Sequence, residues 1–165
     1  MTMFKSSMII SSLLFSSGLF AQTISSSMTE IETTPTKEIS FDLSYLADSK
    51  ELTGLGLSLH FDSKQLEFVG FSDNFSQDLM NADTTAQIDN HNNDNDEKTD
   101  KKASIAWLSV SGKWPGEGET MPLSLVSAHF KALASAQGET HINISGSPAA
   151  GNEFTAQAIT VMIKP

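Results

Sequence analysis

The sequence predicts an all-β fold, an antiparallel β-sandwich with jelly-roll topology, on three observations. Ile39, Phe41, Leu43 and Tyr45 alternate with Ser40, Asp42 and Ser44, the period of a strand with one buried face. Seven or more short runs of strand character follow one another, separated by clusters of Gly, Pro, Asp and Ser. Helical periodicity is confined to Ser72 to Asn81, where Phe75, Leu79 and Met80 support one short turn at most.

Residues 22–36 are rich in Ser and Thr and read as a flexible leader, so that structure is expected from Lys37 onward. Strands are predicted over Glu38 to Leu46 and, after a turn at Ala47 to Lys50, over Leu52 to Phe61, with Leu55, Leu57, Leu59 and Phe61 inward. The turn Asp62-Ser-Lys64 leads into a third strand, Gln65 to Phe71, with Gly70 marking a bulge. After the acidic loop of residues 82–100, Ala103 to Val110 carries apolar side chains at both parities, which predicts a strand covered on both sides. Gly112, Pro115, Gly116, Gly118 and Pro122 make the next segment a loop, and strands return at Leu123 to Lys131 and His141 to Ser145. In the last strand, Phe154 to Ile163, the apolar parity changes, so a bulge is expected near Ala158.

The first 21 residues contain Lys5, an apolar stretch from Met8 to Phe20 and a small residue, Ala21, the layout of a secretory signal peptide cut after Ala21. Ser11, Ser12, Ser16, Ser17 and Gly18 interrupt the apolar part, which falls short of the roughly 20 residues that span a bilayer. The expected organisation is a signal peptide over 1–21, a leader over 22–36 and one domain over 37–165, with no membrane span after cleavage. Its expected address is secreted, periplasmic or cell-surface. No cysteine is present, so packing must hold the fold without disulfides. A net charge of −10, from ten lysines, no arginine and twenty acids, argues against nucleic-acid binding.

The acidic loop is the stretch richest in chemistry. Asp89, Asp94, Asp96, Glu97 and Asp100 supply five carboxylates, and Asn90, Asn92, Asn93 and Asn95 add neutral oxygens. Two readings compete: a calcium site held by Asp89, Asp94, Asp96 and Asp100, or a solvated loop too polar to offset its ordering entropy. An EF-hand begun at Asp94 is rejected, because its sixth and twelfth positions hold Thr99 and Ile105 in place of Gly and Glu. Enzymatic signatures are lacking: there is no cysteine, no paired-histidine metal motif and no nucleophile elbow. His60, His129 and His141 fall inside predicted strands and read as ordinary strand histidines, while His91 lies in the acidic loop.

Trp107 follows the strand alternation and is expected in the core. Trp114, in a Gly/Pro loop, either folds back over the sandwich end or is exposed as a ligand contact, for instance stacking on a sugar ring. Asn74-Phe-Ser76 and Asn143-Ile-Ser145 match glycosylation sequons, which count only in a host with that machinery.

The block Leu57-Ser-Leu-His-Phe-Asp-Ser-Lys-Gln-Leu-Glu-Phe-Val69 resembles the strand, Asp-containing turn and strand of cohesin-like domains, secreted jelly-roll sandwiches whose best-known members dock dockerin modules. Leu125 to Lys131, Gly138-Glu-Thr140 and the strand containing Ile142 are similar to the family's later strands, and the resemblance covers Lys37 to Pro165. It implies a β-sandwich with a non-catalytic binding role. The expected partner is a protein or a polysaccharide, with calcium ordering the acidic loop. The alternative is a structural or matrix component that self-associates through sheet edges or apolar patches.

Overall fold

The computed structural model describes residues 22–46, 51–76, 78–89, 94–148 and 154–165. The expected signal peptide and His91 lie outside the described residues. The strands, in chain order, are β1 (Gln22–Ser26), β2 (Glu30–Thr33), β3 (Glu38–Leu46), β4 (Glu51–Leu52), β5 (Gly54–Phe61), β6 (Leu66–Ser72) and β7 (Leu79–Ala82). They continue as β8 (Gln87–Ile88), β9 (Lys101–Leu108), β10 (Trp114–Pro115), β11 (Leu123–Ala132), β12 (Gly138–Pro148), β13 (Phe154–Ala156) and β14 (Ile159–Ile163).

Two sheets pack face to face. The first, sheet A, has the order β13-β1-β3-β11-β6; the second, sheet B, runs β2-β14-β12-β5-β9-β7, with β8 also pairing β9. Pairing is antiparallel except for β1 with β13 and β14 with β2, which run parallel. The fold is thus an all-β sandwich, as the alternation predicts.

Alternation also decides what each sheet buries. Ile39, Phe41, Leu43 and Tyr45 of β3 point into the core, as do Leu55, Leu57, Leu59 and Phe61 of β5. Phe130 of β11 lies at the centre, edge-on to Phe61 from the opposite sheet at 5.1 Å between centroids and edge-on to Phe68 at 5.4 Å. Such aromatic pairs add about 0.5–1.5 kcal/mol each beyond the area they bury. Gly54 opens β5 at φ +154°, and a Cβ there would lie 2.2 Å from the Trp107 carbonyl oxygen, so the close approach of β5 to β9 requires glycine.

Several expectations change. The segment read as a flexible leader forms β1 and β2, with Gln22, Ile24 and Ile31 buried, because β1 joins β3 and β2 extends the second sheet along β14. Residues 79–81, the end of the helical-turn segment, belong instead to the strand β7 on the edge of β9. Strand β9 is covered on one side only: Ala103, Ile105 and Trp107 are buried, whereas Leu108 is exposed and Val110, just past its end, is 99% exposed. At Gly70 the pairing of β6 with β11 does shift register, between Phe68 and Gly70. The parity change near Ala158 has a larger cause than a bulge, for β13 belongs to sheet A and β14 to sheet B, so the chain crosses between sheets there.

Candidate functional site

On β5 the residues between the core positions, Gly56, Ser58 and His60, face outward. Their cross-strand neighbours share that face: Asn143 and Ser145 on β12 oppose His60 and Ser58, and Lys102, Ser104 and Ala106 on β9 oppose His60, Ser58 and Gly56. Small side chains leave the face low, and Ser58 and Ser104 link across it at 2.9 Å. A depression of about 350 Å³ lies there, lined by Gly56, Ser58, His60, Lys102, Ser104 and Ser145 among others.

His60 faces outward yet is only 1% exposed, and Asp89, at the start of the acidic loop, lies against it. The loop is closed at its base by backbone bonds from Asp89 N to the Asp100 carbonyl (3.0 Å) and from Asp100 N to the Phe61 carbonyl (3.1 Å). Asp89 turns its carboxylate under the loop onto His60 Nδ1, in a fully buried contact. The other ring nitrogen, Nε2, lies 2.6 Å from Ser145 Oγ. Asp94 Oδ2 accepts hydrogen bonds from the Thr99 hydroxyl (2.7 Å) and from Asn143 Nδ2 (3.1 Å), and the same amide donates to Asp96 Oδ2 (3.2 Å).

The four aspartates expected to hold calcium are therefore divided. A ring nitrogen of His60 and one carboxylate oxygen each of Asp89 and Asp94 lie within 4.8 Å of one another, and Nδ1 is the nitrogen turned to Asp89. Asp96 is tied to this group through Asn143, and it caps its own turn by accepting from Lys98 N at 2.9 Å. Asp100 points elsewhere: it accepts from Ser63 N and Ser63 Oγ, each at 2.7 Å. Desolvation raises the Asp100 pKa, but the two Ser63 hydrogen bonds and nearby Lys101 outweigh it and hold the carboxyl below its ordinary value.

Trp114 is not available as a ligand contact. It is completely buried, with its ring against Tyr45 (5.3 Å between centroids), Trp107 (6.0 Å) and Phe75 (6.1 Å), and it pairs with Leu52 in the short β4–β10 ribbon. The ring folds back because its surface is worth more in the core than in water. Asn143, in one of the two sequons, is committed to the aspartates.

His60, Asn143 and Ser145 were missed as site residues by sequence reasoning. Strand parity places His60 and Ser58 outward, and β12 register places Asn143 beside His60; no local signal reveals that a loop 29 residues later covers them. The order Ser145, His60, Asp89 is that of a proton relay. Ser145 sits within a regular strand instead of on the sharp strand-to-helix turn that exposes a nucleophile, and here its hydroxyl serves to fix the imidazole.

No family model matches the sequence, and no curated protein matches it. Solved structures do. A type III cohesin module of the cell-surface anchoring scaffoldin ScaE from Ruminococcus flavefaciens superposes with a TM-score of 0.58 at 15% identity, covering 91% of each chain. The fold is cohesin-like. The cohesin CaCohA2 of Clostridium acetobutylicum, solved in complex with a dockerin, gives 0.57 at 9% identity over 87% of this chain and 99% of its own. The third ScaC cohesin of Acetivibrio cellulolyticus, also in complex with a dockerin, gives 0.55 at 11% identity over 88% and 99%. At such low identities the superpositions show a shared fold alone. Among the described residues, no helix is long and apolar enough to cross a membrane.

Proposed function

We propose that this cohesin-like domain is an exported, non-catalytic module that holds a protein partner on the outer face of sheet B. The observation that carries the reading is the combination of that fold with a low, uncharged strip at the centre of the face. Gly56, Ser58, Ser104, Ala106 and Ser145 project little, so a partner's backbone and apolar side chains can approach closely. The outer face of sheet A differs, since Glu38, Lys131 and Glu67 stand on it in one register row and Asp42 further along β3. Exposed Leu108, Val110 and Met80 add apolar surface around one end of β9, where an interface could draw affinity. Similar modules in complex with dockerins support a protein as the partner class.

The test is affinity capture of proteins from the producing cells, followed by direct titration of the purified partner. A single protein bound one to one supports the reading. Binding confined to a glycan panel, or concentration-dependent self-assembly without a partner, would replace it with a carbohydrate-binding or a matrix role.

A further inference from the structure

We propose that His60, Asp89 and Asp94 form a binding site for a divalent transition-metal ion of the zinc class. The three ligand atoms lie within 4.8 Å of one another, a spread that modest side-chain rotations bring onto an ion with ligand distances of about 2.0–2.2 Å. The ligands come from three places: the interior of β5, the residue that follows β8, and the turn before β9.

The cluster is more than a set of acids. Its nitrogen ligand is an immobilised imidazole on a central strand, buried to 1% exposure. A ligating histidine characteristically has its second ring nitrogen held by a hydrogen-bond partner, and Ser145 Oγ stands 2.6 Å from His60 Nε2 to do so. The Asp94 carboxylate is likewise oriented from behind, by the Thr99 hydroxyl and the Asn143 amide. Those two partners are neutral, so they position the carboxylate without neutralising it, and its charge is left for a cation.

Ligand type selects the ion. Calcium takes six to eight oxygens, and an all-oxygen shell would need Asp100, which is engaged by Ser63. One imidazole with two carboxylates suits zinc or a neighbouring transition ion. On binding, the ion takes the place of the hydrogen bond between His60 and Asp89, and it crosslinks the loop to the sheet. The proposal stands apart from the docking reading, since neither needs the other.

The experiment uses untagged protein stripped with a chelator. Zinc, calcium and magnesium are titrated by calorimetry, and thermal melting is followed with each. One saturable zinc site per chain and a rise in Tm with zinc larger than with calcium are expected. Asp94→Asn, which keeps hydrogen-bonding capacity, should weaken zinc by at least about tenfold while leaving the metal-free Tm close to wild type. Asp100→Asn should leave zinc affinity unchanged. His60→Gln should abolish the site; if it does not fold, X-ray absorption of the zinc-loaded wild type must show one imidazole nitrogen. No saturable zinc binding, full affinity in Asp94→Asn, an oxygen-only shell, or stronger stabilisation by calcium than by zinc would overturn the proposal.

Discussion

His60 and Asp89, 29 residues apart, meet in a buried pair that fastens the acidic loop to the outer face of β5. The contact explains how Asp89, at the start of a very polar run, is held against a sheet. The loop's closing backbone bonds and the shared Asn143 amide then satisfy groups that burial would otherwise strand.

Breaking that pair should be costly. Asp89→Ala leaves the covered Nδ1 of His60 without its hydrogen-bond partner, and stranding a buried polar group costs about 1–3 kcal/mol. Urea denaturation measures the loss, and hydrogen exchange at the Asp89 and Asp100 amides should accelerate with it. A loss below about 1 kcal/mol, the size of an exposed pair, would mean that the loop is held elsewhere.

Asp100 gives the fold an acid-sensitive contact. Its folded pKa is depressed, so its contribution is present at neutral pH and disappears as pH falls through the folded value, below the ordinary carboxylate value near 3.8. Asp100→Asn should cost about 1–2 kcal/mol at pH 7, where the charged acceptor serves Ser63. The gap between wild type and variant in denaturation midpoint should narrow towards pH 3. A gap that widens on acidification would contradict the assignment.

Tyr45 makes the opposite case. Among the described residues its hydroxyl is buried without a hydrogen-bond partner, and burial pushes its pKa up. Removing an unsatisfied buried hydroxyl relieves a desolvation cost, so Tyr45→Phe should be neutral or stabilising by up to about 1–2 kcal/mol. A clear destabilisation in thermal melting would reveal a partner for the hydroxyl.

Where short-range periodicity governs, the sequence was readable. The alternation in β3 and β5 marks the core residues correctly because one buried face per strand imposes a period of two. Long-range pairing is not encoded so locally. Gln22 to Thr33 looks like a polar leader, since only Ile24 and Ile31 are aliphatic there, and its strands exist because β3 and β14 offer open edges. Leu108 and Val110 carry apolar side chains that stay exposed among the described residues, so their parity suggests a second buried face that the described strands do not supply. The acidic loop was legible as a concentration of carboxylates. Its division, with Asp100 turned to Ser63 and Asp89 to His60, depends on where the loop lands on the sheet.

The outer face of sheet B as a docking surface is tested most directly by one pair of substitutions. Ser58→Arg places a long charged side chain at the centre of the strip, and Ser40→Arg places the same group on the outer face of β3 in the opposite sheet. With the captured partner purified, calorimetry should show Ser58→Arg losing at least about thirtyfold in affinity, the scale of an interface hot spot, while Ser40→Arg binds as wild type and both variants melt near it. Unchanged affinity in Ser58→Arg, or loss confined to Ser40→Arg, would contradict the account.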